Sequence, residues 1–461
     1  MKSFSAFLFS CMIAISLPAQ TFTPLVKFNG TNGDYPIGYL IQGTDGNIYG
    51  TTDGGGTNGN YGTIFRLTPQ GRLTTAYSFC SLANCVDGEY PEAGLTLASD
   101  GNFYGSTAYG GDTTCRPPDG CGTLFRITPR GKLTTIHVFE LTDGAFPWAN
   151  LTEGADGNLY GTTSGGGKIP CGSFSLGCGT VFKITPQGSL TTLHTFDYND
   201  GAYSISGLVQ ASNGYFYGTT GNPGTIFRIA GNGAFNTLYD FGGGSYPGPN
   251  APMIEATDGN LYGTNFQGWI FAVLPTHEVT TLYDFGGGEL AAIPEGLTQA
   301  TDGNLYGPTF YGGDGNCTGG CGILYQLTLD GAFTNLHNFT EEQGYGAQGS
   351  LLQGTTGIFY GTASYGGAGY GAAYSLSMGL GPFVAFVRNT GGVGQTVGIL
   401  GQGLTGTTQV SFNGTSSTFL VASDTFLKAK VPAGASNGYV AVDTPSGTLR
   451  SNVSFRVITM H

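Results

Sequence analysis

The chain has 461 residues, 83 of them glycine, a formal net charge of −13 and only 10% charged residues. An acidic surface repels phosphate backbones, so nucleic acid is excluded as a partner, and the same sign disfavours anionic lipid surfaces. The glycines show no Gly-X-Y period, which excludes collagen, and 31 Phe with 26 Tyr give too much to bury for a disordered chain.

Residues 1–19 read as an export signal. Lys2 supplies the positive start, Phe4 to Leu17 are largely apolar, and Leu17-Pro18-Ala19 forms a cleavage site before Gln20. Cys11 lies inside this segment and is lost with it. The stretch is short for a bilayer, and no later apolar run of about 18 residues offers a membrane span. The mature chain is therefore expected to be secreted, extracellular or associated with the cell surface.

The segment Thr21 to Phe28 reads as a lone strand. After it, one unit recurs, clearest in Asp156-Gly157-Asn158-Leu159-Tyr160-Gly161-Thr162. Its tyrosine returns as Tyr49, Tyr104, Tyr160, Tyr217, Tyr262, Tyr306 and Tyr360, a period suited to propeller blades. A second signature follows each time, as in Gly179-Thr180-Val181-Phe182-Lys183-Ile184, then a Gly-containing turn and a run such as Leu190 to Phe196. Each unit thus predicts four short strands, A to D, joined by tight turns in which Gly accepts positive φ.

The seventh unit breaks off after its third strand at Ser377-Met378-Gly379-Leu380-Gly381-Pro382. The leading strand has the missing fourth-strand pattern. Residues 20–381 are therefore expected to form an all-β, seven-bladed propeller closed by the N-terminal strand. Antiparallel order puts the short A–B and C–D turns on one face and the variable B–C and D–A loops on the other, where binding is expected.

Eight cysteines of the mature chain fall into close pairs: Cys80 and Cys85, Cys115 and Cys121, Cys171 and Cys178, Cys317 and Cys321. In an exported chain local disulfides are expected; eight cysteines allow 105 connectivities, and metal binding is the rival reading. Beyond Pro382 the period ends. Residues 382–461, with Val410-Ser411-Phe412-Asn413-Gly414 and Val431-Pro432-Ala433-Gly434-Ala435, read as a β-sandwich.

On its Gly-Asn-Leu-Tyr-Gly-Thr-Thr (Gly157 to Thr163) and Gly-Thr-Val-Phe-Lys-Ile (Gly179 to Ile184) signatures, the repeat resembles the GloVer tandem repeats of secreted bacterial proteins. Unit four departs with Asn213-Gly214-Tyr215, and unit five has Trp269 in place of Thr. The final segment resembles the IPT/TIG immunoglobulin-like family. These resemblances imply an extracellular, bacterial protein and bring no catalytic residues to transfer.

Candidate ligand-binding residues lie in the D–A loops: Tyr35, Tyr90, Phe146, Tyr203 and Tyr246, with Trp148 as an added platform and Glu89 and Asp143 beside them. They are either sugar-stacking aromatics around the channel mouth or wedges between neighbouring units, with Asp and Gly shaping turns. Carboxylates on the variable face include Glu92, Asp112, Asp119, Asp197, Glu289, Glu295, Asp314, Glu341 and Glu342. His137, His194 and His337 occupy a slot filled by Tyr77, Tyr239 and Tyr283 in other units, which marks it as structural; His277 sits in a C–D turn and His461 at the terminus. Asp-Gly-Asn lacks the spaced ligands of a calcium loop, and Gly54-Gly55-Gly56 lacks the Lys-Ser/Thr of a phosphate loop. No catalytic residue, metal or cofactor is assigned. Asn29 and Asn150 match glycosylation acceptors that only a eukaryotic host would use. The function expected is extracellular recognition or surface structure without catalysis, contacting polysaccharide or a cell-surface protein. The alternative is a glycoside hydrolase or polysaccharide lyase.

Overall fold

The computed structural model describes residues 20–168, 171, 176–242, 248–249, 251–286, 292–314 and 316–458. The export segment with Cys11, and Tyr246, Glu289 and His461, lie outside the described residues. The third unit has strands Thr152–Glu153, Leu159–Thr163, Thr180–Ile184 and Leu190–Thr195, paired antiparallel in that order. Five other four-stranded sheets of the repeat array have the same order. In the remaining one, Leu352–Gln353, Phe359–Tyr365 and Ala372–Ser377 are joined by the leading strand, Thr21–Lys27, with Phe22 opposite Leu376 and Lys27 opposite Ala372.

The repeated signature is a self-contained hydrogen-bonded turn. The Asp156 carboxylate accepts from Asn158 N (3.1 Å), Asn158 Nδ2 (2.6 Å) and the Tyr160 hydroxyl (2.9 Å). The same three bonds recur around Asp45, Asp100, Asp258 and Asp302. In unit four Asn213 reverses one of them and donates to Tyr217. The next glycine is there for space: a Cβ on Gly161 would stand 2.7 Å from Phe182 and 2.8 Å from Leu151. That close approach lets the Phe of strand C bury fully.

Two contacts tie each unit to the next. The Phe ending one strand D packs on the strand-C aromatic of the following unit, as Phe139 does on Phe182. Seven such pairs, from Phe28–Phe65 to Phe339–Tyr374, have ring centroids 5.1–5.5 Å apart. The second residue of strand A accepts a bond from the preceding unit's backbone: Ser99 N to Glu153, Ala155 N to Gln210, Ser212 N to Glu255, Thr257 N to Gln299 and Thr301 N to Gln353, at 2.8–3.1 Å. Thr355 N makes the equivalent bond to Gln42 at 3.0 Å, which links the last unit to the first.

Between units one and two this slot holds Leu97, which packs in an apolar cluster with Leu400 and Phe426 of the terminal segment. That segment forms two four-stranded antiparallel sheets. One contains Thr396–Leu400 and Phe426–Lys430, the other Gln409–Phe412 and Val440–Thr444. Val397, Ile399, Leu427, Val410, Phe412, Val440 and Val442 form a core between them.

The terminal segment rests on the turn face of the repeats. Arg388 pairs with Glu153 at 3.6 Å, their side chains 12% and 6% exposed. Thr425 donates to Thr44 O at 2.8 Å and Arg456 to Gln210 O at 3.3 Å. Arg388→Ala leaves a buried carboxylate without its cation, which costs about 3 kcal/mol. Calorimetry of this variant should show a lower unfolding temperature than the parent, whereas an unchanged profile would show that the pair contributes nothing.

Candidate binding pocket

Segments leading into successive units meet at one cavity, and the residue that follows the recurring aromatic–Pro step varies from unit to unit. Ile37, Glu92 and Trp148 occupy that position, and all three face a cavity of about 380 Å³. Tyr39, Ile205, Glu295 and Gln348 complete the inner wall, while Phe266, Phe310 and Tyr311 from B–C loops raise one side. The cavity lies on the face where the variable loops were expected. Among the described lining residues there is no Lys, Arg or His.

Two of the pocket's polar side chains are held within the protein: Asn150 Oδ1 accepts from Gly94 N at 2.6 Å and Gln348 Nε2 donates to the Tyr35 hydroxyl at 3.4 Å. Trp148 Nε1 is buried without an acceptor among the described residues. The Glu92 and Glu295 carboxyls and the Tyr39 hydroxyl form no hydrogen bond or ion pair with a described residue. Burial pushes the Glu295 carboxyl up to about 8. Burial, helped by the charge of Asp53, pushes Glu92 up to about 7. Both are therefore largely protonated in mildly acidic solution, so they can donate as well as accept. Buried groups left unsatisfied in this way mark a site that a ligand or water completes.

Of the ligand candidates named from sequence, Trp148 lines this pocket. Tyr35, Tyr90, Phe146 and Tyr203 instead hold left-handed backbone, with φ of 58°, 56°, 56° and 55°. Tyr90 N bonds Tyr61 O, Phe146 N bonds Cys121 O and Tyr203 N bonds Cys178 O, stitching D–A loops to B–C loops. The Tyr90 ring stands between Tyr61 and Tyr109 at 5.9 and 6.0 Å, and Phe146 lies 5.5 Å from Tyr109. None of these four is among the residues that line the pocket.

Asp143 accepts from Glu140 N and lies 3.0 Å from His137 Nε2; Asp200 holds His194 at 2.7 Å in the same way. Tyr77 donates to Asp87 in unit one, which explains why His and Tyr exchange in this slot. Glu89 is buried near Asp119, and burial with that neighbouring charge pushes it to about 6. It is not among the pocket lining. All four cysteine pairs form local disulfides: Cys80–Cys85, Cys115–Cys121, Cys171–Cys178 and Cys317–Cys321. Among the described residues, no three His, Cys, Asp or Glu side chains converge to hold a metal ion.

Sequence reasoning missed Tyr39, Phe266, Phe310, Tyr311 and Gln348. One signal was available. Within a repeat whose other positions hardly change, a position that alternates among Ile, Glu and Trp is free of the packing that fixes its neighbours.

The molecule is thus an all-β protein of repeated four-stranded sheets with a pocket where segments leading into successive units meet. Its fold is shared with virginiamycin B lyase from Staphylococcus aureus. A catalytically inactive histidine-to-alanine form of that enzyme with quinupristin aligns over 78% of this chain and 99% of its own, at 16% identity and a TM-score of 0.54. The selenomethionine-substituted enzyme aligns over the same shares at 15% identity and a TM-score of 0.52. At these identities the likeness is one of propeller-like fold. The chain belongs to the Gloeobacter/Verrucomicrobia repeat family, whose model matches residues 11–174 and 116–269, together more than half of its length. No curated protein matches the sequence.

Proposed function

We propose that the chain is an exported, non-catalytic recognition protein that takes a neutral polysaccharide into its axial pocket. The carrying observation is the lining: aromatic and apolar walls, unpartnered donors, two carboxyl groups and no described cation. Sugar rings offer an apolar face for stacking and hydroxyls for those donors, and need no cation to neutralise them. The scaffold in this reading is a seven-bladed propeller closed by the leading strand and followed by an IPT/TIG-like immunoglobulin sandwich. The Phe28–Phe65 contact and the Thr355–Gln42 bond support closure, because they repeat between the last and first units what joins the others. Four disulfides support an oxidising compartment, in keeping with the export signal.

A glycoside hydrolase is the second reading, favoured by Glu92 and Glu295 sharing one pocket. Hydrolysis needs one carboxyl protonated and its partner ionised. Glu295, held up to about 8, keeps its proton at neutral pH, whereas Glu92, at about 7, is half ionised there, so the pair supplies an acid and a base and release of reducing ends separates this reading from recognition. The related lyase is inactive in a histidine-to-alanine form, and no described histidine lines the pocket here.

A glycan array combined with a reducing-end assay tests the proposal. Binding without release of new ends is expected, and Trp148→Ala should weaken it about tenfold or more. Release of reducing ends by the parent chain would overturn the non-catalytic reading.

A further inference from the structure

The terminal segment does more than follow the repeats along the chain. Its contacts run round the turn face: Thr425 to Thr44 of unit one, Leu400 and Phe426 against Leu97 of unit two, and Arg388 to Glu153 and Gly154 of unit three. Arg456 bonds Gln210 of unit four and feels the charge of Glu255 in unit five. Gln402 Nε2 donates to Thr355 Oγ1 of unit seven at 3.1 Å, and Phe383 N to Thr355 O at 3.0 Å. In the seven-bladed ring proposed above, units four and seven stand on opposite sides. A body bonded to both crosses its axis.

We infer that the terminal segment closes the channel from the turn face, so that the axial pocket is blind and grips the end of a neutral glycan chain rather than an internal stretch. The inference rests on the recognition reading above and adds which part of the polysaccharide is bound. An internal stretch needs an exit as well as an entrance, and the terminal segment occupies the exit. A chain lying across the loop face leaves unserved the Glu92 and Glu295 carboxyls and the Tyr39 hydroxyl, which line the cavity without a described partner. Only a group that enters end-on reaches them. A cavity of about 380 Å³ is at the small end of ligand sites, which span about 300–1,000 Å³, and suits one or two terminal residues.

Titration calorimetry of the full chain tests this with linear malto-, cello-, laminari- and manno-oligosaccharides of two to seven residues, and with the seven-membered cyclic maltose-linked glucan. For a series that binds, affinity per chain is expected to level off by the third residue. Trp148→Ala should weaken it about tenfold, and chemical capping of the bound end, or closure into a ring for the maltose series, should abolish it. Affinity that keeps rising with length, or survives capping, overturns end-on entry and leaves glycan recognition standing. Absence of binding by every linear series overturns the recognition reading, and this inference with it.

Discussion

A chain that begins after Phe28 is expected to lose its cooperative unfolding transition, the largest effect of any small change to this molecule. Without Thr21–Lys27 the strand Ala372–Ser377 becomes an open edge. Phe22 no longer stacks on His337 at 3.7 Å or covers Phe339 and Tyr374, and the wholly buried Phe28 no longer fills the space beside Phe65. Loss of Phe28 alone, as Phe28→Ala, should cost about 3–5 kcal/mol. A synthetic peptide carrying residues 20–30, added to the truncated chain, should restore near-ultraviolet circular dichroism and a sharp thermal transition. A truncated chain that melts as sharply as the parent, at the same temperature, would show that the strand is dispensable.

Stability should also fall as pH rises from 5 to 8.5, more steeply than usual for an acidic protein. The Glu295 carboxyl keeps its proton in the folded state up to about 8, whereas in the unfolded chain it ionises near 4.5. Between those values the unfolded state has released a proton that the folded state retains, so each pH unit lowers stability by about 1.4 kcal/mol for this group. Glu92 acts in the same direction between 4.5 and about 7. Asp53 and Glu89, both held up to about 6, add a smaller contribution that is complete by neutrality. Replacing Glu295 by Gln keeps the shape and removes the proton exchange. Glu295→Gln should therefore gain on the parent by a few kcal/mol, roughly 2–4, at pH 8.5, and differ little at pH 4. Denaturant titrations at the two pH values measure this; parallel losses in both chains would place Glu295 in water rather than in a dry pocket wall.

The same titration predicts how binding changes with pH. A protonated carboxyl donates to a sugar oxygen, and a carboxylate cannot. Loss of affinity above about pH 8 in the parent, and its absence in Glu295→Gln, would place this side chain against the ligand.

What could be read from the sequence was whatever is decided over a few residues. The bonds that Asp156 receives from Asn158 and Tyr160 span two and four positions, so the repeated letters already specify a turn. A unit lacking its fourth strand, and a leading strand lacking its first three, are complementary before any coordinate is known. The cysteine pairs lie four to seven residues apart, and each closes within its own loop. Histidine and tyrosine exchanging in strand D foretold a structural slot, and Asp143 and Asp87 explain it. The aromatic candidates were less certain, because a ring repeated for wedging and a ring repeated for stacking give the same letters.

The pocket and the place of the terminal segment were decided only in three dimensions. Tyr39, Trp148 and Glu295 come from three different loops, and their common property is that no described residue satisfies their side-chain polar groups, which no local pattern records. The contacts of Arg388 with Gly154 and of Thr425 with Thr44 span 234 and 381 residues, and they fall on the short-turn face that the sequence marks as scaffold. Leu97, in a slot otherwise filled by Gln or Glu, becomes intelligible once Leu400 is seen beside it. Short-range hydrogen bonding sets the unit and is written into every copy. Burial of groups distant along the chain sets the site, and it depends on where the completed units and the terminal sheets come to rest against one another.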